Sequence, residues 1–110
     1  MNRVIVMGNL TKAVELRHTA TGVAVANFTI AVKREIKNKD GEYDSDFINC
    51  IAFGNQAEMI TKYFDKGNKI AIEGHIQSGS YEKEGKKVYT TDVVVEKIHF
   101  VESKQNQEEK

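Results

Sequence analysis

Apolar side chains recur at every second position along most of this chain, and one short stretch alone breaks into a helical period. That combination confines the chain to small all-β architectures carrying a single helix. The clearest alternation runs over residues 24–32, where Ala24, Ala26, Phe28, Ile30 and Val32 share one face. A strand buried on that face follows directly. Residues 3–10 are rich in β-branched side chains and reach Gly8 and Asn9, where a bend or bulge is expected. Asp40 and Gly41 supply the positive-φ positions of a hairpin turn. Residues 47–53 form a third strand with Ile48, Cys50 and Ala52 on one side and Phe47, Asn49, Ile51 and Phe53 on the other. Both sides are largely apolar, so period alone does not say which faces the core.

The helix starts at Asn55, a good N-cap residue with Glu58 three places on in a capping-box spacing. Ala57, Ile60 and Phe64 form its apolar stripe, Lys62 and Lys66 favour its C-terminal end, and Gly67 is the expected stop. A fourth strand follows, with Ile70, Ile72, Gly74 and Ile76 on one face. Residues 78–87 read as a long polar hairpin and residues 88–101 as a last strand. The apolar parity of that strand shifts between Val93/Val95 and Ile98/Phe100, which points to a bulge. Three strands, a helix and two strands give an all-β fold with one helix: a five-stranded OB-fold Greek-key barrel with its helix between strands three and four. A ferredoxin-like fold needs a second helix, and a sandwich wants about seven strands. With 110 residues there is material for one core. The barrel is expected over residues 1–102, with a polar, disordered tail over residues 103–110.

Sixteen basic and sixteen acidic side chains cancel, so no overall field argues for a polyanion. The balance is uneven. Residues 1–37 carry Arg3, Lys12, Arg17, Lys33, Arg34 and Lys37 against Glu15 and Glu35, while residues 38–58 carry Lys39 against five carboxylates. This is either ordinary solvated surface or a basic strand surface beside an acidic loop. No apolar run approaches the roughly twenty residues of a membrane span, and the N-terminus lacks the pattern of a secretion signal. The single cysteine, Cys50, cannot form an internal disulfide, which fits a reducing cytoplasm. His18, His75 and His99 lack metal-ligand spacing, and the acidic run 40–46 lacks the glycine and glutamate of a calcium loop. No phosphate-cradling glycine motif is present. The residues therefore point to no metal, no cofactor and no catalysis.

The aromatic residues are more informative. Phe47 and Phe53 project from the same strand face, and Tyr81 stands in a polar hairpin. Single-strand binders need such π faces for base stacking, with basic side chains such as Arg3, Arg17, Lys33 and Arg34 along the phosphates. The plainer readings are a two-sided core strand for Phe47 and Phe53, and a tyrosine packed on its own hairpin for Tyr81.

Five blocks then occur in order: NRVIVMGNL at 2–10, VANFTIAV at 25–32, DFINCIAFG at 46–54, KGNKIAIEG at 66–74 and YTTDVVV at 89–95. Together they closely resemble the bacterial and phage single-stranded DNA-binding protein family, over residues 2 to about 101. The DFINC block looks most like members from low-GC Gram-positive bacteria and their phages. The resemblance implies an OB-fold homotetramer, cytoplasmic and nucleoid-associated. It implies wrapping of single-stranded DNA without strong sequence preference in replication, recombination and repair. Stacking roles carry over to Phe47, Phe53 and Tyr81, and backbone-contacting basic roles to Arg3, Arg17 and Lys66. Ile36 stands where the family often has Trp, and Gln77, Gly79 and Asn55 stand at usual basic positions. Lys33, Arg34 and Lys37 are candidates to compensate. Full-length cellular members carry a glycine- and proline-rich linker and an acidic tip that recruits replication and repair proteins. This sequence shows neither, so such partners are expected only if the chain has been cut short of one.

Three other readings remain open from sequence: a primosomal OB-fold dimer, a protein-interaction barrel that uses its aromatic face, and an OB-fold nuclease. The nuclease would need Asp40, Asp44 and Asp46 to converge with Arg34.

Overall fold

The alternation that opens at Ala24 carries on past Val32 and makes β3, Ala24–Lys37, one of three long strands in the computed structural model. The structure describes residues 1–101, so the expected tail at 103–110 lies outside the described residues. In chain order the elements are β1 Val4–Leu10, β2 Glu15–His18, β3, β4 Tyr43–Phe53, α1 Asn55–Tyr63, β5 Lys69–Lys83 and β6 Lys86–His99. The sheet order is β1-β5-β6-β4-β3-β2, and β1 also pairs with β3. That extra pairing closes five strands into a barrel and leaves β2 on the free edge of β3. Among the described residues only β4 and β6 run parallel, through Cys50↔Val93 and Ile51↔Val94. Because the short β2 adds one strand to the count, α1 falls between the fourth and fifth of six strands. Among the five barrel strands it still follows the third.

Two glycines make closure possible. β1 pairs with β5 from Val4 to Asn9, and switches to β3 at Asn9↔Ala31 and Leu10↔Ile30. At Gly8 a Cβ would collide with the Ala31 carbonyl, so this glycine serves a close backbone approach rather than the expected bend. At Gly74 a Cβ would meet the Val94 carbonyl, and the β5–β6 register skips from Glu73↔Lys97 to Gly74↔Val95. Glu96 is the extra residue, and it supplies the parity shift expected in the last strand.

The interior is filled by Leu10, Ala26, Phe28, Ile30, Cys50, Ala52, Ile70, Ile72, Val93 and Val95. From α1, Ala57 and Ile60 join that core, as does Phe64 just past its end. Ile76 does not; it is exposed, because β5 and β6 run beyond the barrel as a two-stranded arm. The arm turns at Glu84 and Gly85, both at positive φ, as a two-residue hairpin requires. The other expected turn is also present, with Asn38 N–H donating to the Glu42 carbonyl. Gly41, at φ 80, is at positive φ and Asp40 is not, so it is not the two-residue turn that Asp40 and Gly41 suggested.

Both helix boundaries differ from the sequence reading. Gly54, at φ 63, occupies the N-cap place, and no side chain caps the helix. The chain must turn sharply out of β4 there, so Asn55 is carried one position into the helix and cannot cap it. At the other end Phe64 is already extended. Gly67 sits in the Asp65–Asn68 turn instead, its N–H donating to the Leu10 carbonyl. No helix among the described residues is long and apolar enough to cross a membrane.

Candidate nucleic-acid interface

Curling the sheet into a barrel buries one side of β4 and leaves the other uncovered. Cys50 and Ala52 point into the core, while Phe47 is 68% exposed and Phe53 47% exposed. A two-sided core strand is therefore not what forms. Cross-strand register lays out the outward side of these strands in columns: Arg17, the buried Val25 and Phe53; Glu15, Asn27 and Ile51; Thr29 and Asn49; Ala31 and Phe47; Lys33 and Ser45. The Thr29 hydroxyl donates to Asn49 Oδ1 at 3.0 Å, which leaves the Asn49 amide hydrogens to face outward.

The β5–β6 arm stands over this surface and makes a groove of about 520 Å³. Arg17, Asn27, Thr29, Asn49, Ile51 and Tyr81 line it, with Asp92 at its boundary. Tyr81 is 53% exposed, so it is not consumed by packing on its own hairpin. Phe47 lines a second, more apolar hollow of about 230 Å³ with Val4, Val6 and Ile76. Asn49 and Asp92 border both hollows, so the two adjoin. π faces, amides and hydroxyls thus share one continuous surface.

The predicted basic residues fall into three groups. Arg17 lies in the groove with Tyr81, and Lys33 sits by register at the far end of the same outer face. Arg3 and Arg34 are already paired. Arg3 meets Glu73 at 2.6 Å, and His99 meets the other Glu73 oxygen at 2.6 Å. Those two hydrogen bonds, His99 first and then Arg3, hold the Glu73 carboxyl below the usual carboxylate range. Arg34 donates three hydrogen bonds to Asp46, two from Nε and one from Nη2. The same contact pushes the Asp46 carboxyl down and the Arg34 guanidinium up. Lys66 is exposed in the turn after α1 and lines neither groove.

Other residues were not foreseen. Asn27, Thr29, Asn49 and Asp92 line the grooves. Tyr89 is exposed and pairs with Ser80, which puts it on the face of the arm opposite Tyr81. Strand parity could have placed Tyr89, but a polar hairpin gives no register until its turn is known. Burial raises the Cys50 thiol to about 12, so it stays protonated and inert. Among the described residues no three His, Cys, Asp or Glu side chains gather as a metal site would need. Asp44 instead accepts from Asn38 and Asp46 from Arg34.

A closed five-stranded Greek-key barrel with a helix after its third strand is an OB-fold, the class that this topology and its grooved outer face define. The family model for the single-strand binding protein family matches residues 1–101, and the chain belongs to that family. It is 48% identical over 107 residues to single-stranded DNA-binding protein 3 of Listeria innocua, covering 96% of this chain and 67% of that protein. It is 45% identical over 108 residues to the single-stranded DNA-binding protein of Halalkalibacterium halodurans, covering 97% and 64%. Against single-stranded DNA-binding protein 1 of Staphylococcus aureus it is 49% identical over 105 residues, covering 94% and 67%. The chain thus spans about two thirds of the length of these relatives.

Proposed function

We propose that this chain binds and protects single-stranded DNA without strong sequence preference, with no catalytic step, during DNA replication, recombination and repair. Its place would be the cytoplasm, at the nucleoid. The observation that carries the reading is the joining of Arg17 and Tyr81 in one groove beside the exposed Phe47. A base stacks on a π face whatever its identity, so affinity comes without sequence readout. Phe53 extends the stacking surface next to Arg17. The basic residues Arg3, Arg17, Lys33, Arg34 and Lys66 make the phosphate contacts, with Arg17 and Lys33 contributing most because Arg3 and Arg34 already have carboxylate partners.

A salt titration tests both the reading and that ranking. Binding to fluorescent oligo-dT should weaken as salt rises and should not be competed by duplex DNA. Each phosphate neutralised on a single strand contributes about −0.7 to the slope of log K against log salt, so substituting Arg17 and Lys33 by Gln should flatten it by roughly 1.4. Arg34→Gln should change it less, since Asp46 already supplies that side chain's counter-charge. Glu82 and Glu84 dilute the field of Lys83, Lys86 and Lys87, so substituting those three lysines should also change it less. Effective competition by duplex would favour a different ligand for this face.

The chain works as a homotetramer in this proposal. Support comes from β1, which between Val4 and Gly8 pairs on one side only, with β5. Its outward residues Ile5 and Met7 are exposed. An open strand edge carrying apolar side chains invites self-pairing, and symmetric doubling of such a dimer gives four subunits. Light scattering at micromolar concentration should return four times the 12.4 kDa of one chain. A monomeric mass would contradict it.

A further inference from the structure

We propose that Tyr43, with Lys33 and Lys37 at its ring, is a further base-stacking position, and that the DNA path continues from Phe47 out along the β3–β4 hairpin. This rests on the single-stranded DNA reading above.

Alternation along β4 puts Tyr43 on the same outer face as Phe47 and Phe53. Four residues of strand separate Tyr43 from Phe47, about 13 Å at the usual rise, against about 20 Å between Phe47 and Phe53. The aromatic line therefore has three members, with the new one beyond Phe47 and nearer to it than Phe53 is. Tyr43 is 44% exposed and belongs to no buried cluster. Its ring neighbours are cations: Lys33 Nζ lies 4.8 Å from the centroid and Lys37 Nζ lies 5.7 Å. Register explains the arrangement, since Lys37 pairs with Tyr43 itself and Lys33 with Ser45 next along.

The hairpin's charges make these lysines available. Asp46 is taken by Arg34, and an Asp44 oxygen by the Asn38 amide. Neither Lys33 nor Lys37 has a carboxylate partner among the described residues. Both ammonium groups lie over the ring, so a base that stacks there displaces them onto its own phosphates, and one nucleotide gains the ring and the two cations together.

Fluorescein-labelled oligo-dT titrated with the full chain tests this. Tyr43→Ala should weaken binding about 5- to 150-fold, the range expected for one lost stacking contact, and Tyr43→Phe should stay within about twofold. The chain has no tryptophan, so the Y43W indole is a sole reporter, and oligo-dT should quench it. Should Tyr43→Ala lower the melting temperature as well as affinity, the Y43W quench decides. Wild-type affinity in Tyr43→Ala, or an indole untouched by DNA, overturns the inference. If the wild-type chain itself fails to bind oligo-dT, the functional reading falls and this one with it. If the wild type binds and Phe47→Ala weakens it while the Tyr43 variants are silent, only this inference is wrong.

Discussion

Replacing Phe28 by alanine is expected to lower the unfolding free energy by about 3–5 kcal/mol. Phe28 sits at the middle of β3, paired with Cys50 of β4, and only 4% of it is exposed. Around it the core is close-packed from both halves of the barrel, with Ile30, Ile60 and Ile72 fully buried. Such a shell relaxes little around a lost ring, so a cavity cost adds to the lost transfer energy. A domain of this size is stable by only about 5–15 kcal/mol, so the variant should sit near its unfolding threshold. Phe28 also lies beneath the groove floor, so its removal opens the core toward solvent at the place where DNA is proposed to lie. Urea denaturation at fixed protomer concentration measures the effect, because assembly would otherwise shift the apparent stability. The midpoint should fall with the slope unchanged. A loss below about 1 kcal/mol would mean that the ring is not a core member, contrary to its burial.

Where one side of a strand alone is apolar or where a period changes, the sequence was enough to read the fold. Ala24 to Val32 gave β3 its inward face, and the slip in parity beyond Val95 corresponds to the extra residue Glu96. β2 was invisible for a physical reason. Glu15–His18 is four residues long and exposed throughout, and an edge strand with no buried face leaves no alternation to detect. Gly8 and Gly74 look like ordinary bend signals until one knows which backbone passes them. The cap at Gly54 was missed because Asn55 has the better side chain, and only the tight exit from β4 decides between them.

The candidate site was half legible. Phe47 and Phe53 were placed together by parity, but both faces of their strand are apolar. Closure of the barrel, a non-local event, is what leaves their face outside. Arg17 and Tyr81 share a groove because the β5–β6 arm reaches across to β2 and β3, and no local pattern encodes that reach. The pairing of Arg34 with Asp46 depends on the β3–β4 register, so sequence offered Arg34 as a phosphate contact and set Asp46 beside it only in the nuclease alternative. Tyr43 was within reach of the same parity argument that found Phe47. It was passed over because it lies in a run of carboxylates.

Phe47→Ala and Tyr81→Ala should each weaken oligonucleotide binding by roughly 1–3 kcal/mol while leaving the melting temperature nearly unchanged. The two rings line different hollows that meet at Asn49 and Asp92. Because the hollows share those two residues, the double variant measures how far the two contacts are coupled, as the difference between its loss and the sum of the single losses. Stability should hold because each ring is already more than half exposed, and surface substitutions of that kind usually stay within about 0.5 kcal/mol. Phe28→Ala gives the opposite pattern in stability, so a thermal melt run beside each titration separates stacking from packing. If Phe47→Ala instead lowers the melting temperature by many degrees, with its affinity loss no larger than the unfolded fraction explains, Phe47 is a packing residue. The outer face of β4 would then need another role.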